Sequence, residues 1–178
     1  MAKAKAKAKT AAAPRASAPV QRASGITVGK PVQDFTLPST AGEPFRLAAL
    51  RGAAVILYFY PKDATSGCTL ESQDFRDLHA KLRRAGATVW GISRDSLASH
   101  ARFRAAQALP FHLLSDAEEQ ACRLFDVIRE KNMYGRKVMG IERSTFLIDS
   151  EGVLRQEWRK VKVAGHAEVV LEALRALD

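Results

Sequence analysis

Residues 53–84 read AAVILYFYPKDATSGCTLESQDFRDLHAKLRR, and two changes of pattern inside this stretch set the architecture. Ala53 to Tyr60 is a nearly continuous apolar run, rich in β-branched and aromatic side chains. A strand with one wet face would alternate with polar residues, so the unbroken run predicts a strand buried on both faces of a sheet. Pro61 lacks the amide donor that a central strand needs, and the run stops there. From Cys68 to about Arg84 the period becomes helical. Phe75, Leu78 and Leu82 fall on one face with charged residues between them, and Gly86 follows as a stop signal.

The same grammar extends outward. Downstream, Thr88–Ser93 is an apolar strand, and Ser96 to about Leu109 is a helix closed by Pro110. Phe111–Leu114 is a short strand, and Ser115 or Asp116 caps a helix over Glu118–Phe125. Residues 128–142 are basic, hold two glycines and read as a loop, with Tyr134 and its neighbours either ordinary surface or the border of a pocket. Thr145–Ile148 and Val153–Trp158 pair across the turn at 149–152. A last helix over Ala167–Leu177 sets Val169, Val170, Leu174 and Leu177 on one face. Trp90 and Trp158, both in strands, read as core. Upstream, Asp34–Leu37 and Phe45–Leu47 are short strands joined by a turn at Ala41-Gly42-Glu43. Strands alternating with helices predict an α/β domain, a mixed central sheet with helices on both faces.

Composition bounds the function. The chain has 178 residues, 47% of them hydrophobic, enough for one domain with its own core. Its mean hydropathy is -0.17, and no apolar run is long enough to cross a membrane. The net charge is +9, and six of those charges (Lys3, Lys5, Lys7, Lys9, Arg15 and Arg22) lie in residues 1–25, which contain no acid. This Ala/Lys/Pro segment lacks the apolar core of a signal peptide and cannot bury enough surface to offset its ordering entropy. It reads as a disordered tail ahead of a domain spanning 26–178. It is either a solubilising tail or a weak, sequence-independent contact for nucleic-acid phosphates. The two cysteines, Cys68 and Cys122, are too few for a secreted disulfide scaffold and favour the reducing cytoplasm.

Cys68 is the candidate for chemistry. It follows a buried strand and a short loop, in the first turn of a helix, where unpaired N–H groups and the positive end of the macrodipole favour a thiolate. Gly67 lets the backbone approach closely, Pro61 fixes the path of the loop, and Thr65 sets a hydroxyl three residues before the sulfur. The alternative is a small apolar residue packed under the helix. His79, His100, His112 and His166 show no ligand spacing, so neither a metal nor another cofactor is expected.

The segment FYPKDATSGCTLESQDFRD resembles the active-site segment of peroxiredoxins, whose signature Pro-x-x-x-Thr/Ser-x-x-Cys falls here on Pro61, Thr65 and Cys68. The residues that follow resemble the peroxiredoxin Q group, also called bacterioferritin comigratory protein. Matching segments are VGKPVQDFTLPSTAG, LLSD at 113–116 and RSTFLID at 143–149, so the resemblance covers about residues 26–178. It implies a thioredoxin-like fold with an N-terminal β-hairpin extension, and a monomer that reduces hydrogen peroxide and organic hydroperoxides. By position, Cys68 is the peroxidatic nucleophile, Thr65 and Arg143 are its activating partners, Pro61 shields the pocket, and Glu71 supports the hydrogen bonds of the site. The reductant is a thioredoxin, a glutaredoxin or a small thiol.

Two positions depart from the group. Gln73 stands where many members carry a resolving cysteine, and Ser66 replaces a common proline. Cys122, in DAEEQACRLFDV, is then either a buried helix residue or a resolving thiol that local unwinding must expose. A thiol–disulfide oxidoreductase on the same fold is the rival reading, but Thr65 occupies the place its second cysteine needs.

Overall fold

The structure, a computed structural model, describes residues 25–177; the basic tail expected over 1–25 lies almost wholly outside them. The chain opens with β1 (Thr36–Leu37) and β2 (Phe45–Arg46), a two-stranded antiparallel hairpin. Then follow β3 (Ala54–Phe59), α1 (Ser66–Arg84), β4 (Ala87–Ser93), α2 (Leu97–Ala106), β5 (His112–Ser115) and α3 (Gln120–Leu124). The last elements are β6 (Ile128–Met133), β7 (Arg136–Ile141), β8 (Ser144–Ile148), β9 (Leu154–Trp158) and α4 (His166–Arg175).

The central sheet has the order β5-β4-β3-β8-β9. β3, β4 and β5 are parallel, while β8 runs antiparallel to β3 and β9 antiparallel to β8. All six residues of β3 are buried, as its unbroken apolar run predicts. The pleat sends alternate side chains to opposite faces. Ile56, Tyr58 and Tyr60 pack with Phe75 and Leu82 of α1, Phe103 of α2 and Val170 of α4. Val55, Leu57 and Phe59 pack on the other face with Phe35, Phe45, Phe125 and Phe146, beneath the N-terminal hairpin and α3. The mixed sheet, the flanking helices and the hairpin extension are thus those expected.

Three local expectations need correction. Residues 128–141 are not a loop but the hairpin β6–β7, with Ile128 paired to Ile141 and Met133 to Arg136. Its turn, Tyr134-Gly135, has both φ angles positive (53 and 78), the geometry of a tight two-residue hairpin. The strands are largely exposed and mix charged with apolar residues, so no apolar alternation announces them, and backbone pairing defines them. In α4 the buried face is Ala167, Val170, Leu171 and Leu174, while Val169 is 47% exposed and Leu177 lies beyond the helix, 38% exposed. Trp90 and Trp158 are only half-buried, at the margins of the two cores.

Gly91, in β4, has a packing reason. A Cβ there would lie 2.7 Å from the Tyr58 ring and 2.8 Å from Leu113. Both neighbours are fully buried and Tyr58 stacks on Phe75 (ring centroids 4.8 Å), so neither can yield easily. Gly91→Ala is expected to cost about 1–3 kcal/mol of overpacking, seen as a lower urea midpoint with an unchanged slope.

Candidate active site

The site lies at the carboxyl edge of β3, where the chain turns into α1. Thr65 is the N-cap residue with extended backbone (φ -79, ψ 153), which puts Cys68 in the first turn of α1, as expected. The N–H groups of that turn have no partners within the helix and point toward the reacting end. Cys68 is 1% exposed.

Arg143 immediately precedes β8, and the antiparallel pairing of Ser144 with Phe59 brings it beside the loop that leaves β3. Its Nη2 lies 3.4 Å from Cys68 Sγ, and its Nη1 donates to Glu71 Oε2. Glu71 is one helical turn after Cys68 and shares its face. Gly67 gives the guanidinium room: a Cβ there would meet Arg143 Nη2 at 3.1 Å. One glycine thus serves a contact 76 positions away in sequence.

Burial governs the electrostatics. Glu71 Oε1 is buried with no hydrogen-bond partner among the described residues. Desolvation therefore outweighs the attraction of Arg143 and pushes the Glu71 carboxyl up to about 7. Arg143 itself is raised further despite burial, because Glu71 and Cys68 both favour its charge. His166, at the start of α4, is lowered to about 4 by burial and by the Arg143 charge, and it hydrogen-bonds Thr145 Oγ1 at 2.8 Å. Lys131 of the β6–β7 hairpin is held below the usual lysine range by burial and by Arg143. Within this segment Lys131 thus senses the charges of Arg143 and Cys68, whereas Tyr134 at the hairpin tip is fully exposed.

Thr65 and Pro61 flank the sulfur in sequence. Pro61 is half-buried directly after Tyr60, and the Thr65 hydroxyl is exposed and donates to the Lys62 carbonyl at 2.9 Å rather than to the thiol. Gln73 donates to Gln107 Oε1 at 2.8 Å and ties α1 to the end of α2. Cys122 is fully buried, and it belongs to the core on the opposite face of the sheet from Cys68. Its thiol is pushed far above the usual range by burial and by the negative charge of Asp116. Sequence reasoning passed over Asp63, Tyr60 and His100, which form a buried polar cluster next to the loop. The available signal was a carboxylate inside the loop motif and a histidine three residues before Phe103 on one helix face.

The raised Glu71 carboxyl makes a stability prediction. In the unfolded chain it ionises near 4.5, so between about pH 4.5 and 7 the unfolded state binds fewer protons there than the folded state. Stability contributed by this group therefore falls as pH rises through that window. Relative to Glu71→Gln, the wild type should lose about 2–3 kcal/mol between about pH 5 and pH 8 in urea unfolding. Parallel pH profiles for the two proteins would contradict the buried, half-satisfied carboxyl.

Comparison with known proteins gives the family. Residues 28–157 match the AhpC/TSA family. The chain is 54% identical to the peroxiredoxin Bcp of Xanthomonas campestris pv. campestris over 143 residues, 80% of this chain and 89% of that one. It is 45% identical to the peroxiredoxin Bcp of Bacillus subtilis over 153 residues, 86% of this chain and 98% of that one. A solved structure of the X. campestris bacterioferritin comigratory protein, studied for its alkyl peroxide reduction activity, superposes with a TM-score of 0.77 at 52% identity. That match covers 80% of this chain and 91% of the other. On this agreement of sequence and fold, the chain belongs to the AhpC/TSA family and is a peroxiredoxin, a thiol-dependent peroxidase.

Proposed function

We propose that Cys68 is the peroxidatic nucleophile and that it reduces hydrogen peroxide and organic hydroperoxides. The carrying observation is the 3.4 Å approach of the Arg143 guanidinium to Cys68 Sγ in the first turn of α1. The thiolate attacks the terminal peroxide oxygen. An S–O bond forms as the O–O bond breaks, leaving a sulfenic acid on Cys68, and the departing oxygen takes up a proton and leaves as water or an alcohol. Negative charge moves from sulfur to the leaving oxygen. Arg143 and the N–H groups of the first turn are fixed donors along that path. Glu71 orients Arg143 from behind. Pro61 shields the pocket, and the Thr65 hydroxyl turns from the Lys62 carbonyl to the bound peroxide. The alkyl peroxide activity of the X. campestris relative supports the substrate class.

The reductant acts directly on the sulfenic acid. Cys122 and Cys68 stand on opposite faces of the sheet, and the buried Cys122 thiol holds its proton, so it is a poor attacking thiol. A thioredoxin- or glutaredoxin-type protein or a small thiol condenses with the sulfenic acid and releases water. A second thiol then cleaves the mixed disulfide and frees Cys68. Both cysteines are free thiols, which suits a monomer working in the cytoplasm. No helix among the described residues is long and apolar enough to cross a membrane. The basic segment at 1–25 makes at most a weak contact with nucleic acid. Its deletion should leave peroxidase turnover intact, while any DNA binding should fall steeply with salt.

Cys68→Ser should abolish peroxide reduction with the fold retained by circular dichroism, and surviving turnover would sink the assignment. Arg143→Ala should slow stopped-flow oxidation of Cys68 by about 10²-fold, the scale of losing one preorganised donor. Cys122→Ser should keep most of its turnover with an external thiol, and non-reducing peptide mapping after peroxide should find no Cys68–Cys122 bond. A variant that stalls after a single oxidation would make Cys122 the resolving thiol.

A further inference from the structure

The loop between β3 and α1 is anchored by groups that form no hydrogen bond with Cys68 or Arg143 among the described residues. His100 of α2 is fully buried. Its Nε2 faces the Leu114 carbonyl at 3.0 Å, and its Nδ1 faces Asp63 Oδ2 at 2.8 Å. A carbonyl only accepts, so Nε2 carries a hydrogen. The Asp63 carboxylate already accepts from the Tyr60 hydroxyl on Oδ1 (2.6 Å) and from the Ser99 hydroxyl on Oδ2 (2.8 Å). The Tyr60 hydroxyl also lies 3.4 Å from Nδ1, so His100, Tyr60 and Ser99 converge on the buried Asp63 carboxylate. Burial alone would raise the Asp63 carboxyl, yet the hydrogen bonds from His100 and Tyr60 hold it below the usual range.

The anchor gathers the carboxyl ends of all three parallel strands. Tyr60 follows β3, Asp95 follows β4 and Leu114 lies in β5. The backbone N–H of Asp63 donates to Asp95 Oδ2 at 2.9 Å, and the Ser93 hydroxyl donates to the same oxygen at 2.7 Å. Residue 63 is thus held through both its side chain and its backbone. The next residue, Ala64, has φ 60, a left-handed conformation that a side chain with a Cβ disfavours. Thr65 then caps α1 and Cys68 follows three residues later. Strained backbone of this kind persists only where its surroundings over-determine it.

We infer that Asp63 and His100 are positioning residues for the peroxidase reaction: a buried, hydrogen-bonded carboxylate–imidazole pair that holds the Pro61–Thr65 loop in its strained path and so sets Cys68 against Arg143 and the incoming peroxide. The inference rests on Cys68 being the attacking thiol. In-line attack demands alignment of sulfur with both peroxide oxygens, and small misplacements cost large factors. Alkylation by iodoacetamide makes no comparable demand on Arg143 or on the loop.

The two reactions therefore separate positioning from general damage. In Asp63→Asn and in His100→Asn, stopped-flow oxidation of Cys68 by hydrogen peroxide is expected to slow by about a hundredfold. The rate of Cys68 alkylation by iodoacetamide, read by peptide mass, should stay within about threefold of wild type, with circular dichroism unchanged. Wild-type peroxide rates in both variants would overturn the proposal, and so would equal losses in both reactions. Should neither variant fold, Ser99→Ala removes one bond to Asp63, and its peroxide rate should fall selectively in the same sense; an unchanged rate would count against the proposal. A Cys68 that peroxide leaves unoxidised in the wild type would refute the nucleophile assignment instead, which keeps the two failures distinct.

Discussion

Strand β3 has no solvent side, and the site is a consequence of that burial. Each of its large side chains removed from water is worth roughly 1.5–3 kcal/mol, and the pleat divides the gain between the two faces. Tyr58 and Tyr60 stack at 5.5 Å on the α1 face, while Phe59 packs edge-on to Phe146 at 5.5 Å on the other. With β4 on one side and β8 on the other, the strand cannot slip by one residue without exchanging its whole core. Its carboxyl end is therefore a fixed point. The loop, the first turn of α1 and the Arg143 end of β8 all meet there, and the sulfur-to-guanidinium approach follows from sheet register rather than from loop plasticity.

Around that fixed point the molecule keeps charges where water cannot reach them well. The Arg143 side chain is 16% exposed and that of Glu71 is 2% exposed. A buried pair of this kind contributes little net stability, because desolvation offsets most of the attraction. Glu71 shows this directly: one oxygen is bonded, the other is orphaned, and its carboxyl is pushed up to about 7. Such an arrangement makes sense as positioning. A guanidinium clamped by one carboxylate presents its other nitrogen to sulfur in a fixed direction, and in the proposed reaction it would need no reorganisation when charge moves onto oxygen. The Asp63–His100 cluster treats the other side of the loop in the same manner, with four polar groups converging on one residue.

The sheet also partitions the two thiols. Cys68 lies with α1, α2 and α4, and Cys122 with the N-terminal hairpin and α3. A disulfide needs Cα atoms within about 7 Å, a separation that a packed strand between the two faces does not allow without opening one core. On the Cys68 side, Gln73 donates to Gln107 and ties α1 to the end of α2.

The strand–loop–helix unit was legible in the sequence because its signals are local. The apolar run of β3, the stop at Pro61, the helical period after Cys68 and the signature carrying Pro61, Thr65 and Cys68 all fall within 32 consecutive residues. The β6–β7 hairpin was not legible, since largely exposed strands that mix charged with apolar residues leave no hydrophobic period to read. The meeting of Arg143 with Cys68 came only from resemblance, and the packing of His100 on Asp63 and the separation of Cys68 from Cys122 by the sheet were invisible. These contacts join residues 37 to 75 positions apart, and such pairs impose no periodicity on the chain between them. The sequence by itself determined which strand is central and which thiol opens a helix, because those follow from neighbours along the chain. Only the tertiary structure decided what surrounds that thiol, because strand order and register choose which distant side chains share its face.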